Sequence, residues 1–239
     1  AGAVERYDLA ATLYGNQQRP AEQAGAAVGK IFALAMLGRY DDALAAGYRA
    51  RPVLEEHQQW RALANLSINL AVVHGRKRDD TRALAEFDQT RALCLRIGAE
   101  GQRLLPMVEL DRATVLRNLG RFQAAIAANE NALRLLERTN QKAEIGHVQQ
   151  DLAATYVMLG RFNEALLLLD QARDTFMADG RPLDAIETDL VTSYCLLQLR
   201  RFDDVLEKCR GVRLLCAEVG RQREVAEALL NKAMAHSGQ

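Results

Sequence analysis

The sequence predicts an all-α chain, an α-solenoid of tandem helix pairs, and three observations carry that prediction. A short string recurs with a period near 40 residues. Apolar residues fall at helical spacing on both sides of each copy. No stretch alternates β-branched and polar residues as a strand would, and no Asn-Gly or Asp-Gly joins such runs; Asp179-Gly180 follows a helical stretch and reads as a cap.

The recurring string is Leu-Gly-Arg-aromatic: Leu37-Gly38-Arg39-Tyr40, Leu119-Gly120-Arg121-Phe122 and Leu159-Gly160-Arg161-Phe162. Leu199-Arg200-Arg201-Phe202 is a decayed copy, and His74-Gly75-Arg76 is read as another that has lost its aromatic. A small or β-branched residue and a Leu or Ile follow each one: Ala43-Leu44, Ala83-Leu84, Ala125-Ile126, Ala165-Leu166 and Val205-Leu206, spaced by 40, 42, 40 and 40. Internal repetition at such a period marks a repeat architecture.

Each unit reads as two helices. Ile145, Val148, Leu152, Tyr156 and Leu159 make one helical stripe, and Ala165, Leu168, Leu169, Ala172 and Phe176 make the next. The glycine between them suits a helix C-terminus, where the chain turns through the left-handed region. Asp41-Asp42 and Asp203-Asp204 open second helices, where carboxylates meet unpaired N–H groups. Gly98, Asn140, Gly180 and Gly220 close them. A helix near Val4 to Leu13 lies in a lead-in over 1–19. Five pairs are expected over 20–58, 59–98, 99–140, 141–180 and 181–220. Pro20 and Pro182 open first helices, and Pro106 is read as opening another. A terminal helix near Arg221 to His236, within 221–239, reads as the first helix of a sixth unit. The chain opens on Ala1 without Met and closes on that half-unit, as expected of a piece of a longer polypeptide.

These residues resemble the tetratricopeptide repeat, which places a small residue in its first helix, a glycine at the turn, then an aromatic and two alanines. Ala153, Gly160, Phe162, Ala165 and Ala172 match it, as do Ala113, Gly120, Phe122, Ala125 and Ala132. The resemblance covers residues 20–239 and implies a right-handed α-solenoid of helix-turn-helix units. Ile31 and Ile68 depart from the small first-helix residue, and Val205 and Val212 from the two alanines. The long period looks like the repeats of kinesin light chains, of maltose-type bacterial transcription activators and of bacterial proteins that join such repeats to a caspase-like CHAT peptidase.

Composition narrows the chemistry. Lys plus Arg equals Asp plus Glu, at 31 each, so the basic excess of a direct nucleic-acid binder is missing. No stretch is apolar enough to span a bilayer, and no signal-peptide core opens the chain. Cys94, Cys195, Cys209 and Cys216 form no C-x-x-C and read as reduced core thiols in a cytoplasmic protein. The three serines lie in no nucleophile elbow, the four histidines are scattered, and no glycine-rich phosphate loop is present. The expectation is therefore no enzyme, no catalytic residue, no cofactor and no metal. Arg39, Arg76, Arg121, Arg161 and Arg201 track the turns and read as partners of nearby acids.

The resemblance implies that first helices line an inner, concave face. By the repeat register that face presents Asn65, Asn69, Thr114, Arg117, Asn118, Gln150 and Tyr194. Taken singly, each reads as a solvated polar residue; taken as a row, they read as a partner-binding surface. Asn65 and Asn69 lie four apart and point the same way. Val28, Phe32, Leu110, Leu190 and Leu230 give the face apolar character. The family's clamp for chaperone tails uses lysines here, and these positions have none. The expected function is a protein-interaction scaffold that binds a peptide, a helix or another domain of the same polypeptide. The alternative is a regulatory or sensory segment controlling a peptidase, ATPase or transcription-activator domain in a longer chain.

Overall fold

The computed structural model describes residues 2–139, 142–219, 231, 232 and 234, and these are helix and turn throughout. The helices are α1 (Gly2–Asn16), α2 (Pro20–Met36), α3 (Tyr40–Glu56), α4 (Trp60–Arg76), α5 (Asp80–Arg96), α6 (Ala99–Asn118), α7 (Phe122–Thr139), α8 (Lys142–Met158), α9 (Phe162–Ala178), α10 (Pro182–Gln198) and α11 (Phe202–Val219). Residues Asn140, Gly220 and Leu230, and all of the expected terminal helix but residues 231, 232 and 234, lie outside the described residues.

The chain forms two compact units, 1–121 and 122–239. In the first, α1 to α6 pack each on the next, and α2, α4 and α6 also touch in succession. Its core runs through Ile31, Leu34, Ala43, Ala50, Leu54, Leu66, Leu70 and Val73. In the second, α7 to α11 pack in sequence. One cluster there joins Ala153, Ala165, Leu169 and Cys195, and another joins Ile186, Val205, Cys209, Val212 and Cys216.

The turns explain the regularity. Each described turn has one residue of positive φ: Gln18, Gly38, Gln58, Arg78, Gly98, Gly120, Gly160, Gly180 and Arg200. The first five stand 20 residues apart. The Gly38 N–H donates to the Ala35 carbonyl at 3.1 Å, and that of Arg39 to Leu34 at 2.9 Å. This pair of bonds is a Schellman closure of the helix end. It recurs at Gly160 and Arg161, to Val157 and Tyr156. Arg39 then accepts from the Ala43 N–H at 3.1 Å, so the residue that closes one helix opens the next.

The residue in that double role is usually arginine, and its guanidinium holds the acid three places on. Arg39 pairs with Asp42 at 2.7 Å, Arg161 with Glu164 at 2.8 Å and Arg201 with Asp204 at 2.6 Å. Arg19–Glu22 and Arg181–Asp184 repeat the device at first helices. Asp79 instead caps its helix directly, accepting from the Arg82 N–H at 3.2 Å. Arg76 departs from the pattern and reaches the Met36 sulfur at 3.8 Å.

Two expectations need correcting. Gly75 is not a turn residue: it lies within α4, and Arg78 takes the left-handed position. The small residue of that unit is consequently Ala71, fully buried, rather than Ile68. Pro106 does not open a helix. It lies inside α6, whose 20 residues begin at Ala99 because Gly98, at φ 69°, ends α5 almost at once before the next helix. Gly101 fits beneath the Cys94 carbonyl there, where a side chain would collide.

Candidate partner-binding faces

Contacts of α2, α4 and α6 set these first helices side by side in the first unit. Residues one repeat apart are aligned across them, as the Arg76–Met36 contact shows. Val28, Phe32 and Met36 are spaced by four on α2. Asn65, Asn69, Val72 and Arg76 follow at helical spacing on α4, and Met107, Asp111, Thr114 and Asn118 on α6. Phe32 and Met36 remain 57% and 60% exposed, which is unusual for large apolar side chains on a packed helix. The face is therefore apolar on α2 and rich in amides and hydroxyls on α4 and α6.

The expected site residues fall into three groups. Asn65, Thr114 and Arg117 are half-buried and Asn118 is exposed; Thr114 donates to its own helix at Leu110, at 3.4 Å. Asn69 is turned inward in function: its side-chain N–H donates to the Val28 carbonyl at 2.8 Å, tying α4 to α2. Gln150 and Tyr194 belong to the second unit, on α8 and α10. Gln150 donates to the Thr188 hydroxyl at 2.6 Å, and Tyr194 meets Phe162 edge-on with centroids 6.5 Å apart. Leu190, expected on the face, is buried in the core. The exposed stripe of α10 runs instead through Leu183, Val191 and Tyr194. Met36 and Val191 join the faces without having been singled out from sequence, and Arg76, read there as a turn residue, joins them as well; spacing of three or four from Phe32 and its counterparts was the available signal.

Behind these faces the interior is polar at defined points. Glu109 on α6 is buried against Arg91 at 2.6 Å, and Glu86 on α5 against Arg51 at 2.5 Å. Asp189 on α10, 3% exposed, lies 3.0 Å from both Arg173 and Lys208. Each acid bridges neighbouring helices, and buried charge of this kind is tolerated only when paired. His74 is buried 2.8 Å from the Tyr48 hydroxyl. Burial pushes its imidazole below the ordinary 6.5, with Asp79 and Glu86 pulling the other way. All four cysteines are buried free thiols. Burial pushes the Cys195 thiol up to about 11 and raises Cys94 and Cys209. Such thiols are poor nucleophiles, which require thiolate. Among the described residues no group of His, Cys, Asp or Glu is placed to hold a metal, and no helix is long and apolar enough to cross a membrane.

Opposite the first helices, second helices leave grooves between them. The groove between α1 and α3 over α2 holds about 260 Å³ and is lined largely by alanines with Tyr7 and Val53. That between α3 and α5 over α4 holds about 440 Å³, with Arg51, Arg96, Glu55, Ser67 and Trp60. In the second unit, the groove between α9 and α11 over α10 holds about 640 Å³.

Residues 104–178 match the tetratricopeptide repeat family model. With the helix pairs, the glycine turns and the buried Ala153, Ala165 and Ala172, that match identifies the repeat type of this segment. Residues 104–178 are tetratricopeptide repeats. The tetratricopeptide fold extends through nearly the whole chain, as solved structures show. Aspartyl phosphate phosphatase F from Bacillus subtilis is similar over 95% of this chain and 60% of its own, with a TM-score of 0.80 and 14% identity. The kinesin light chain-type repeats from Podospora anserina, in a Q17M variant, are similar over 82% of this chain and 96% of theirs, at TM-score 0.68 and 14% identity. A Rap protein complexed with competence and sporulation factor is similar over 90% of this chain and 66% of its own, at TM-score 0.65 and 12% identity. The chain thus spans about 60% of the length of the phosphatase. No curated protein matches the sequence.

Proposed function

We propose that these tetratricopeptide repeats form a protein-interaction scaffold that binds rather than catalyses. It takes a peptide, a helix or another domain on the faces presented by its first helices. The observation that carries this is the exposure of Phe32 and Met36, 57% and 60%, on the same stripe as Asn65 and Asn118. Apolar side chains of a ligand would lie against α2, and side-chain amides would bond its main chain. Binding by a neighbour supports the reading, since the similar Rap protein is complexed with a factor. The raised thiol pKa values support binding over nucleophilic chemistry. The same face would serve if the repeats regulate an effector domain of a longer polypeptide.

Pull-down from the source lysate tests this, comparing the parent with Phe32→Asp/Met36→Asp and with Leu214→Asp, which alters an exposed residue of α11. Partners should be held by the parent and by the Leu214 variant and lost from the double variant. Because apolar contacts and neutral amides are little screened, retention should change little from low to moderate salt. Capture that survives the Phe32/Met36 change, or that disappears with Leu214→Asp, would place binding elsewhere.

A further inference from the structure

The groove between α9 and α11 differs from its counterparts in three respects. Its walls and floor carry Leu166, Leu167 and Leu196, and Leu167 is 67% exposed. Its charges do not cancel. Four acids, Asp170, Asp189, Asp204 and Glu207, face three cations, Arg173, Arg201 and Lys208; Asp189 is paired with Arg173 and Lys208, and Asp204 with Arg201. Asp170 and Glu207 also line it, and among the described residues neither has a counter-ion.

The third respect is Gly211. It lies inside α11, with no positive φ, and a Cβ built there would meet nothing within 4 Å. Glycine within a helix is destabilising relative to almost any other residue except proline. Among the described residues neither backbone geometry nor packing requires glycine here, and its effect is to keep one wall of the groove low. Gly47 and Gly146, by contrast, are filled closely by Leu70 and Phe176.

From these features we infer that the α9–α11 groove is a second docking site, for a short helical segment of a partner protein carrying a leucine-like side chain beside lysine or arginine. The leucines accept the apolar side chain, Gly211 admits the segment's backbone, and Asp170 and Glu207 meet its cations. In the α3–α5 groove Arg51 is held by Glu86, which leaves Arg96 against Glu55 and no surplus of acids to attract such a segment. This site lies between two second helices with α10 as its floor, and does not depend on the face that carries Phe32 and Met36.

The probe is a fluorescein-labelled, end-blocked peptide of about 12 residues, or three helical turns, with Leu and Lys at i, i+3 and i+4. Its control has Glu in place of Lys. Anisotropy titrations compare the parent with Gly211→Leu, whose Cβ meets nothing within 4 Å and whose side chain would occupy the groove, and with Asp170→Lys/Glu207→Lys. Circular dichroism verifies that the variants fold. The lysine peptide should bind the parent, weaken by about tenfold or more with either variant, and bind Phe32→Asp/Met36→Asp undiminished; the glutamate peptide should not bind. The assignment fails if the parent does not bind the lysine peptide, binds both peptides equally, or is matched by Gly211→Leu. It also fails if sedimentation shows a dimer that Gly211→Leu dissociates, since the occupant would then be a second copy.

Discussion

Asn69 donates its side-chain amide to the main-chain carbonyl of Val28 at 2.8 Å, across one whole repeat. An amide on the inner face is thus partly a structural tie. Gln150 makes a similar link from α8 to Thr188 on α10. Asn69→Ala should lower stability by about 1 kcal/mol, the usual net worth of such a bond. Asn65→Ala should leave the melting temperature within experimental scatter and weaken partner binding. Thermal melts and a binding titration on the two variants separate the roles. Equal stability would show that the Val28 bond contributes nothing.

Ile31 stands where the other repeats have Ala71, Ala113, Ala153 and Ser193, all nearly or fully buried. Gly47 on α3 makes the room: a Cβ there would lie 3.1 Å from Ile31 and 2.6 Å from Leu70. Gly47→Leu should destabilise by roughly 1–3 kcal/mol through overpacking. Leucine is a better helix former than glycine, so packing and propensity oppose each other here. Denaturant midpoints decide between them, and a rise in stability would show that the site is slack.

The turn residues predict an asymmetry. Gly160 sits at φ 70° and Arg200, one repeat later, at φ 58°. Gly160→Arg should cost about 1 kcal/mol, because side chains clash in the left-handed region. Arg200→Gly should range from neutral to mildly stabilising, since relief of strain is offset by the freer unfolded chain. Melting temperatures of the pair give the comparison directly.

His74 predicts a pH dependence. Its folded pKa lies below the ordinary 6.5, chiefly from burial. As pH falls through about 6.5 the unfolded chain takes up a proton that the folded chain refuses, so stability declines. The decline ends once pH passes the folded value. Tyr48, Lys77, Asp79, Arg82 and Glu86 surround the ring and set that lower limit. Melts at about pH 7.5 and 5.5 should show a smaller loss for His74→Gln than for the parent; identical slopes would remove His74 from the account.

Much of this fold was legible because helix ends are local events. Gly38, Gly120 and Gly160 announce left-handed closures, and Pro20 and Pro182 announce helix starts. Gln18, Gln58, Arg78 and Arg200 adopt the same conformation without a glycine, so their turns are visible only as a 20-residue spacing. Gly75 misled for the converse reason: a glycine beside an arginine imitates the turn string while lying inside α4. The candidate face was legible as a stripe, but not in its details. Nothing local distinguishes Asn69, bonded to Val28, from Asn65 four residues earlier, since the partner carbonyl lies one repeat away. Leu190 failed similarly, one position of helical rotation separating the buried stripe from the exposed one.

Trp60, the single tryptophan, lies at the start of α4 in the α3–α5 groove and packs on the core of the first unit. Indole emission consequently watches one half of the molecule. Stacked repeats melt as coupled neighbours rather than as one block, so loss of α7 to α11 can proceed unseen by that chromophore while ellipticity falls. Midpoints that disagree between fluorescence and far-ultraviolet dichroism would then report where along the chain fraying begins, with the indole acting as a fixed observer.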